Sequence, residues 1–287
     1  MQVGTVAEVW RYPFKSMVGE RVQRCDVGPK GVAGDRGWAV RDEVAGEVRG
    51  AKKLPGLLRC RARYLAEPAA ERPIPAAEVT FPDGTIVTTD ERDDLGRRLS
   101  ALLGREVTVW PLVDDDAHYR RGRPDPGDPM ANLRAMMGFE ETDPMPDFSG
   151  LPTTLREYAA PPGTYFDCYP LHIVTTASLA EAKRLRPDAD HDVRRVRPNF
   201  LIDTGPGTSG FAEFEWTGKR LRIGTALVSI VTPAVRCAMP MHEQADLPRD
   251  KAVLRTFIEH TKQHFGSYVD VVEPGVVSEG DVVQLLD

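Results

Sequence analysis

The sequence lacks any large excess of one charge and any long apolar run. Its 287 residues carry 37 Lys and Arg against 43 Asp and Glu, which gives a net charge of −6 with histidine neutral. A polyanionic partner such as nucleic acid is therefore not expected. No stretch reaches the length of about 18 apolar residues that a membrane span needs, and residues 1–10 show no basic segment followed by an apolar run. We therefore expect a cytoplasmic protein with no membrane partner.

Cysteine is scarce, and its spacing is uninformative about pairing. The four cysteines are Cys25, Cys60, Cys168 and Cys237. They form no CxxC pair and have no histidine at zinc-finger spacing, so neither a structural zinc site nor a set of disulfides is predicted. Each thiol therefore has to be considered alone.

Short runs of β-branched or alternating apolar residues dominate the chain. Strands are predicted at residues 3–10, 21–27, 38–41, 58–65, 78–81, 85–88, 106–110, 171–175, 200–203, 219–223, 226–231, 267–272 and 281–286. Helices are predicted at residues 91–103, 178–185 and 251–264. We expect Asp90 and Ser178 to cap the first two helices, and the Asp83-Gly84 pair to form a type I′ hairpin turn. Many strands with few helices predict a mostly β (α+β) fold, a barrel or a sandwich rather than a doubly wound sheet.

Residues 111–162 differ from the rest of the chain. Prolines, aspartates, glycines and methionines crowd together there without clean periodicity. We interpret this segment as a long connector with short helical pieces. Because irregular segments of that length inside a compact protein are usually functional or mobile, the connector can line a site.

Two segments of the first half could bind an anion. In YPFKSMVG (12–19), Lys15 and Ser16 follow a strand, where a charge, a hydroxyl and backbone N–H groups would suit a phosphate; the alternative is a solvated lysine. In GDRGW (34–38), Arg36 could hold an anion with its planar guanidinium, or Asp35 could simply bond its own backbone in a turn that leaves Arg36 exposed.

Two further candidates lie in the second half. The stretch RRVRPNF (194–200) is the densest positive cluster, and Pro198 should hold Arg197 in an extended conformation; the cluster could bind an anion or be a solvated face.

The stretch TPAVRC (232–237) places Cys237 at the end of an apolar strand, where a lone thiol is either part of a site or a small buried hydrophobe. Arg236 should point away from Cys237, because neighbours in an extended segment face opposite sides. Together these features are compatible with a phosphorylated cofactor, which they do not name.

Several short motifs, taken in order, resemble a known family. They are YPFKS (12–16), GDRGW (34–38), SLAEAKRL (178–185), RPNF (197–200), FAEFEW (211–216), LRIG (221–224) and VRC (235–237). Their order and spacing are similar to those of MOSC domain proteins with an N-terminal MOSC β-barrel domain, a group that includes the mitochondrial amidoxime-reducing component and its bacterial relatives. The resemblance implies an N-terminal β-barrel-like domain at 1–115, a connector at 116–165 that can line the site, and a MOSC β-barrel domain with a few flanking helices at 166–287.

The resemblance also implies a cofactor and a site. The family carries a molybdenum cofactor (Mo-molybdopterin), and the cysteine of its RC motif, which here is Cys237, is the catalytic residue and the protein's ligand to the metal. A soft thiolate suits a thiophilic metal. The family positions that hold the cofactor phosphate match Lys15, Ser16 and Arg36. Those that line the same site match Arg197 and Asn199.

One pair of positions departs from the family pattern. An Asp-Thr pair that touches the cofactor in the family reads Asp167-Cys168 here. Cys168 could be a neutral replacement for a hydroxyl or a redox-active neighbour. Where relatives tend to carry threonines, this chain reads MPMHEQ (239–244); His242 could donate a proton or simply be exposed.

The resemblance implies an oxidoreductase that reduces small N-hydroxylated or N-oxide substrates by removing oxygen. No cysteine follows Cys237 and no GxGxxG turn follows a strand, so we expect no iron–sulfur cluster or nicotinamide site, and a separate electron-transfer protein as donor. Two other functions stay open: a cofactor carrier or sulfur-transfer protein, and a non-catalytic module that binds a phosphorylated ligand.

Overall fold

The computed structural model describes residues 1–69 and 73–286, and these residues are mostly in strands. The first half contains β1 (Gln2–Arg11), β2 (Glu20–Val22), β3 (Arg24–Gly28), β4 (Gly31–Val32), β5 (Trp38–Asp42), β6 (Glu47–Arg49), β7 (Arg61–Tyr64), β8 (Ala77–Thr80), β9 (Ile86–Thr88) and β10 (Val107–Pro111). The second half contains β11 (Leu171–Thr175), β12 (Phe200–Asp203), β13 (Arg220–Ile223), β14 (Ala226–Val235), β15 (His264–Glu273), β16 (Gly275–Ser278) and β17 (Val282–Leu286). Every predicted run contains a strand, and the mostly β prediction is confirmed.

The helices are few and short. They are α1 (Arg92–Leu103), α2 (Asp116–Tyr119), α3 (Pro129–Met137), α4 (Thr176–Leu185) and α5 (Lys251–Thr261). In the part of the chain that the structure describes, no helix is long and apolar enough to cross a membrane.

One sheet closes into a barrel. Its strand order is β12-β11-β15-β14-β13-β17-β1-β2, and an additional pairing of β12 with β1 closes seven of these strands into a ring. Only the β11–β12 pairing is parallel. The barrel interior is filled by aliphatic and aromatic side chains such as Val9, Ile173, Phe200, Leu221 and Val228, because alternate residues of each strand point inward.

Strand β1 belongs to this barrel although it lies at the start of the chain. Thr5 pairs with Asp203 of β12, and Gln2 pairs with Gln284 of β17. The division at 1–115, 116–165 and 166–287 stays a prediction, but the predicted N-terminal domain contributes this strand to the sheet of the predicted C-terminal domain.

β2 pairs with β1, and β3 and β4 form a small sheet with β16. Much of the rest of the first half forms a second core. Two small sheets, β10-β5-β6 and β7-β8-β9, pack with α1 around a cluster that includes Phe14, Trp38, Leu95 and Leu99. Helix α1 ends at Gly104, as predicted, with a left-handed φ of 61°.

Local capping differs from the predictions at three places. Asp90 lies in a 3-10 turn before α1 and does not cap it. Thr175, not Ser178, caps α4 by accepting from the Ser178 N–H at 3.1 Å. The hairpin between β8 and β9 forms, but Gly84 alone of the pair has a positive φ (85°), so the turn is not type I′.

Candidate functional site

A cavity of about 290 Å³ lies where the barrel, the first half of the chain and the connector meet. Its described lining carries eight basic side chains, Lys15, Arg36, Arg49, Lys52, Lys53, Arg121, Arg197 and Arg236. Only two carboxylates, Glu47 and Asp167, share that lining. The chain as a whole is acidic, so this concentration of positive charge makes the cavity a candidate site for an anion.

The structure brings together nearly all residues predicted from the sequence. The predicted residues that line the cavity are Lys15, Arg36, Asp167, Cys168, Arg197, Asn199 and Cys237. Ser16 does not line it; its hydroxyl accepts from the Ala51 N–H at 2.8 Å. Gly50 packs so closely here that an added Cβ would lie 2.6 Å from Ser16 Oγ. Ser16 therefore holds the turn that carries Lys52.

Three of the predicted residues have a strained backbone. Ser16, Arg36 and Arg197 have φ angles of 69°, 52° and 53°, in the left-handed region that costs non-glycine residues about 1–3 kcal/mol. The expectation of an extended Arg197 is wrong. The Arg197 N–H completes a turn to the Val193 carbonyl at 3.2 Å, and this contact outweighs the preference set by Pro198. Such strain concentrates at functional sites.

Arg197 and Arg36 both contact the ring of Tyr12. Their guanidinium carbons lie 4.1 Å and 5.1 Å from its centroid, and the Tyr12 hydroxyl donates to the Pro198 carbonyl at 2.9 Å. Burial and repulsion from Arg36 lower the pKa of Arg197 to about 10. The Arg197 guanidinium donates to the Met17 carbonyl through Nη1, but its buried Nη2 has no partner among the described residues. An anion in the cavity would satisfy that donor.

Asn199 acts differently from its neighbours. Its Nδ2 donates to Asp35 Oδ2 at 3.0 Å, and its Oδ1 accepts from the His172 N–H at 3.1 Å. Asp35 in turn accepts from the Tyr12 N–H at 2.8 Å and pairs with Arg36. The amide of Asn199 is thus occupied in holding Asp35, and through it Arg36, in position.

Asp167 lies between two lysines. Its Oδ1 is 2.7 Å from Lys15 Nζ, and its Oδ2 is 3.3 Å from Lys52 Nζ. Burial would raise the pKa of Asp167, but the charges of Lys15 and Lys52 hold it well below its usual range. Lys52 was not among the residues predicted from the sequence. Its only signal was the Gly50-Ala51-Lys52-Lys53 turn, which is typical of an exposed loop.

Two free thiols line the cavity. Cys237 follows β14 and is 8% exposed, and Cys168 precedes β11 and is 9% exposed. Burial raises the pKa of Cys168, which favours its neutral form. Arg236 was expected to point away from Cys237, yet both line the cavity because the chain leaves the strand after Val235. The buried Nε of Arg236 also lacks a partner among the described residues.

His242 and His172 occupy unexpected places. His242 is not among the described lining residues, and its backbone carbonyl accepts from Arg195 Nη1 at 3.3 Å. His172 does line the cavity, but burial lowers its pKa to about 3. Its Nε2 lies 3.2 Å from the Phe265 carbonyl, which requires that nitrogen to carry the hydrogen. Neither histidine is set up to transfer a proton into the cavity.

The residues present fit an anionic cofactor that brings most of its own metal ligands. Among residues 1–69 and 73–286, no group of three or more His, Cys, Asp or Glu could hold a metal ion. A single thiol, two unpartnered guanidinium N–H groups and a basic lining are what such a cofactor would need from the protein.

Comparisons with known proteins match both halves of the chain. The MOSC domain model matches residues 160–284, and the MOSC N-terminal beta barrel domain model matches residues 3–110. No curated protein matches the chain.

Among solved structures, the YUAD protein from Bacillus subtilis is 12% identical, with 98% of this chain and 94% of that chain covered and a TM-score of 0.45. YiiM from Geobacillus stearothermophilus is 20% identical (TM-score 0.30), and YiiM from Escherichia coli is 16% identical (TM-score 0.29); each comparison covers 42% of this chain and 55% of the other. Likenesses this distant carry no information about activity.

Proposed function

The chain belongs to the family of MOSC domain proteins with an N-terminal MOSC β-barrel domain, and from that premise we propose that it is a molybdenum-cofactor-dependent reductase of N-hydroxylated or N-oxide substrates. MOSC domains are associated with proteins that bind the molybdenum cofactor. The observation that carries the proposal is the placement of the free Cys237 thiol in a cavity whose basic groups include two unpartnered buried N–H donors.

The basic residues would hold the cofactor phosphate. Arg197 offers its free Nη2, Arg36 is oriented by Asp35, and Lys15 offers an ammonium group at the same wall. Charge-assisted hydrogen bonds to a phosphate are about twice as strong as neutral ones. Asp167 keeps the ammonium of Lys15 in place by an ion pair.

Cys237 would supply the thiolate that ties the metal to the protein. The molybdenum centre, when bound, supplies the two-electron chemistry that removes oxygen from the substrate. The buried position of Cys237 limits the access of water to that point, which strengthens every charge interaction in the cavity. Cys168 lies in the same lining, and whether it is a neutral neighbour or a redox-active one stays open.

Metal and cofactor content test the proposal directly. Wild type, Cys237→Ser and Cys60→Ala would be purified from a molybdenum-replete host and analysed for molybdenum and pterin. Cys60 is the matched control, because it is a buried thiol outside the described cavity lining. Wild type and Cys60→Ala should contain near-equal molybdenum and pterin, and Cys237→Ser should lose most of the metal while staying folded by circular dichroism. Equal molybdenum in wild type and Cys237→Ser would remove Cys237 from the metal's ligands.

Turnover of the molybdenum-loaded protein then separates an enzyme from a carrier. We expect reduction of an amidoxime with reduced viologen and none with NAD(P)H until a separate redox partner is added. Loaded protein that is inactive with viologen would favour the carrier. Turnover of the isolated chain with NADPH would contradict the need for an external donor.

A further inference from the structure

Besides its basic lining the cavity has an apolar wall, and from this wall we propose that this chain selects substrates whose N–O group is carried by an uncharged apolar body, aromatic or branched alkyl. The wall is formed by Met136, Phe148, Leu151 and Leu155 of the connector. This inference rests on the proposed reductase function and adds the class of substrate to it.

The four side chains of this connector wall are apolar and only partly buried. Side chains of this kind usually complete a core, yet these keep surface that faces the cavity. Apolar surface gains free energy when a ligand removes it from water. The connector wall is therefore suited to contact with an apolar group.

The connector wall lies beside the thiol. Cys237 packs in one hydrophobic cluster with Met137 and Met239, and Met136 and Phe148 pack against that cluster. The N–H of Ala238, the residue after Cys237, donates to the Met136 carbonyl at 3.0 Å. Because the basic side chains line the same cavity as Cys237 and the connector wall, a substrate that reaches this thiol's surroundings also meets apolar side chains.

Hydrogen bonds hold the connector to α5 and to the residues just before β11 and β15. Arg255 of α5 binds Asp143 with two contacts of 2.6 and 2.7 Å. Gln263 Nε2 donates to the Met137 carbonyl at 2.8 Å, and the Tyr169 hydroxyl donates to the Gly150 carbonyl at 2.8 Å. A surface held in this way needs little ordering when a ligand binds, which favours selectivity.

The charge of the group that carries the N–O function determines which substrates bind poorly. A cationic body would meet the basic lining, and any charged body would lose water against the connector wall without gaining a partner. An uncharged apolar body avoids both costs. The geometry therefore favours aromatic and branched alkyl N-hydroxylated compounds over small or charged ones.

Two amidoximes that differ only in their apolar body test this inference. Benzamidoxime and acetamidoxime share the reacting group, so their ratio of KM values reports contact with the body alone. In wild type, KM for benzamidoxime should be the lower. Phe148→Ala should raise KM for benzamidoxime about 10- to 100-fold, the scale of a lost apolar contact. Its KM for acetamidoxime, its kcat and its molybdenum content should change little.

Two further variants keep the test decisive. Leu155→Gln replaces a second residue of the connector wall by a polar one of similar length and should act in the same direction even if Phe148→Ala fails to fold. Met145→Ala is the matched control, because Met145 lies on the same connector, is 46% exposed and is not among the described lining residues. It should leave both KM values unchanged.

A non-reducible probe separates failure of this inference from failure of the proposed function. Benzamide has the aromatic body without the N–OH group, and its binding is measured by calorimetry. Suppose that wild type binds benzamide, that Phe148→Ala binds it at least 10-fold more weakly, and that no variant reduces an amidoxime. The connector wall would then be supported as a binding surface, and the reductase function would be contradicted. If wild type reduces both amidoximes with equal KM, or the wall variants shift both KM values equally, the inference is overturned.

Discussion

Arg195 and Arg197 are two residues apart in the sequence but lie in two differently built regions of the molecule. Arg195 is fully buried behind the segment 239–248. Its guanidinium donates to the carbonyls of Pro240 and His242 at 3.3 Å each, to the Pro248 carbonyl at 2.8 Å and to Asp190 at 2.8 Å. Only its Nε lacks a partner among the described residues.

Arg197 is equally buried but has far fewer partners. Its guanidinium has one hydrogen bond, to the Met17 carbonyl, and a contact with the Tyr12 ring, and its Nη2 has no partner among the described residues. Unlike Arg195, Arg197 lines the cavity. The comparison shows that burial alone does not mark a binding residue. A charge that holds the fold has its N–H groups occupied by the protein, whereas a charge that binds a ligand leaves them free.

The largest expected effect is on stability. Arg195→Met leaves three backbone carbonyls without their donor and should lower the free energy of unfolding by about 3–5 kcal/mol. Arg197→Met removes a charge with one carbonyl partner and should change it by no more than about 1 kcal/mol. Denaturation of both variants, made without cofactor, in guanidinium chloride measures the difference. If both variants lost the same free energy of unfolding, the proposed difference between Arg195 and Arg197 would be contradicted.

The second expected effect is on how tightly the protein retains its ligand. It should appear in the Arg197 variant but not in its control. Arg197→Met should weaken binding of the phosphorylated cofactor by about 1–3 kcal/mol, or roughly 5- to 150-fold. Arg194→Met is the matched control, because Arg194 pairs with Asp192 and Asp246 and is not among the described lining residues. Molybdenum content after dialysis and the rise in unfolding midpoint with added pyrophosphate measure the loss. Similar retention in both variants would show that Nη2 faces no ligand.

The smallest expected effect is on the pH dependence of stability, and it extends the comparison from buried arginines to a buried carboxyl group, that of Glu213. Burial raises the pKa of Glu213, whose Oε2 accepts from the hydroxyls of Thr175 at 2.6 Å and Ser178 at 2.5 Å. A carboxyl with a raised pKa in the folded state stabilises fully below its unfolded pKa, about 4.3, and loses that contribution as pH rises through the folded value. Glu213→Gln should therefore gain stability relative to wild type on going from pH 4 to pH 8, by at most about 1.4 kcal/mol per pH unit.

Glu215→Gln is the control for this pH dependence, because Glu215 is exposed in the same short helix, Ala212–Trp216. Unfolding curves at several pH values give the difference between each variant and wild type. A difference for Glu213→Gln that stays flat across this range would mean that folding does not raise the pKa of this carboxyl.

Local patterns predicted most of the strands, though not the short β4, β6 and β16, and did not predict which strands pair. The run at 3–10 alternates as a strand should, yet nothing near it indicates that β1 pairs with β12 and β17. Such pairing is set by packing between distant residues. The N-caps were misplaced for the opposite reason: Thr175 and Ser178 are equally suitable by residue type, and only the local φ and ψ angles decide between them.

The site was predictable where motifs carried it. Lys15, Arg36, Arg197 and Cys237 lie in short ordered motifs, and the structure places them around one cavity; their roles stay predictions. The residues of the connector wall could not be found, because they follow no period and meet only through contacts with the barrel. Nor can sequence distinguish Arg195 from Arg197, since the difference lies in which carbonyls surround each one.

The closure of the barrel by β1 has a consequence for the timing of folding. β1 pairs with β12 and β17, so strands far apart in the sequence are neighbours in the sheet. The sheets β10-β5-β6 and β7-β8-β9 join segments closer in sequence and should form earlier, because nearby contacts close at lower entropic cost. Residues of both parts line the cavity, so we expect the cavity to be complete only after β1 has paired with β12 and β17.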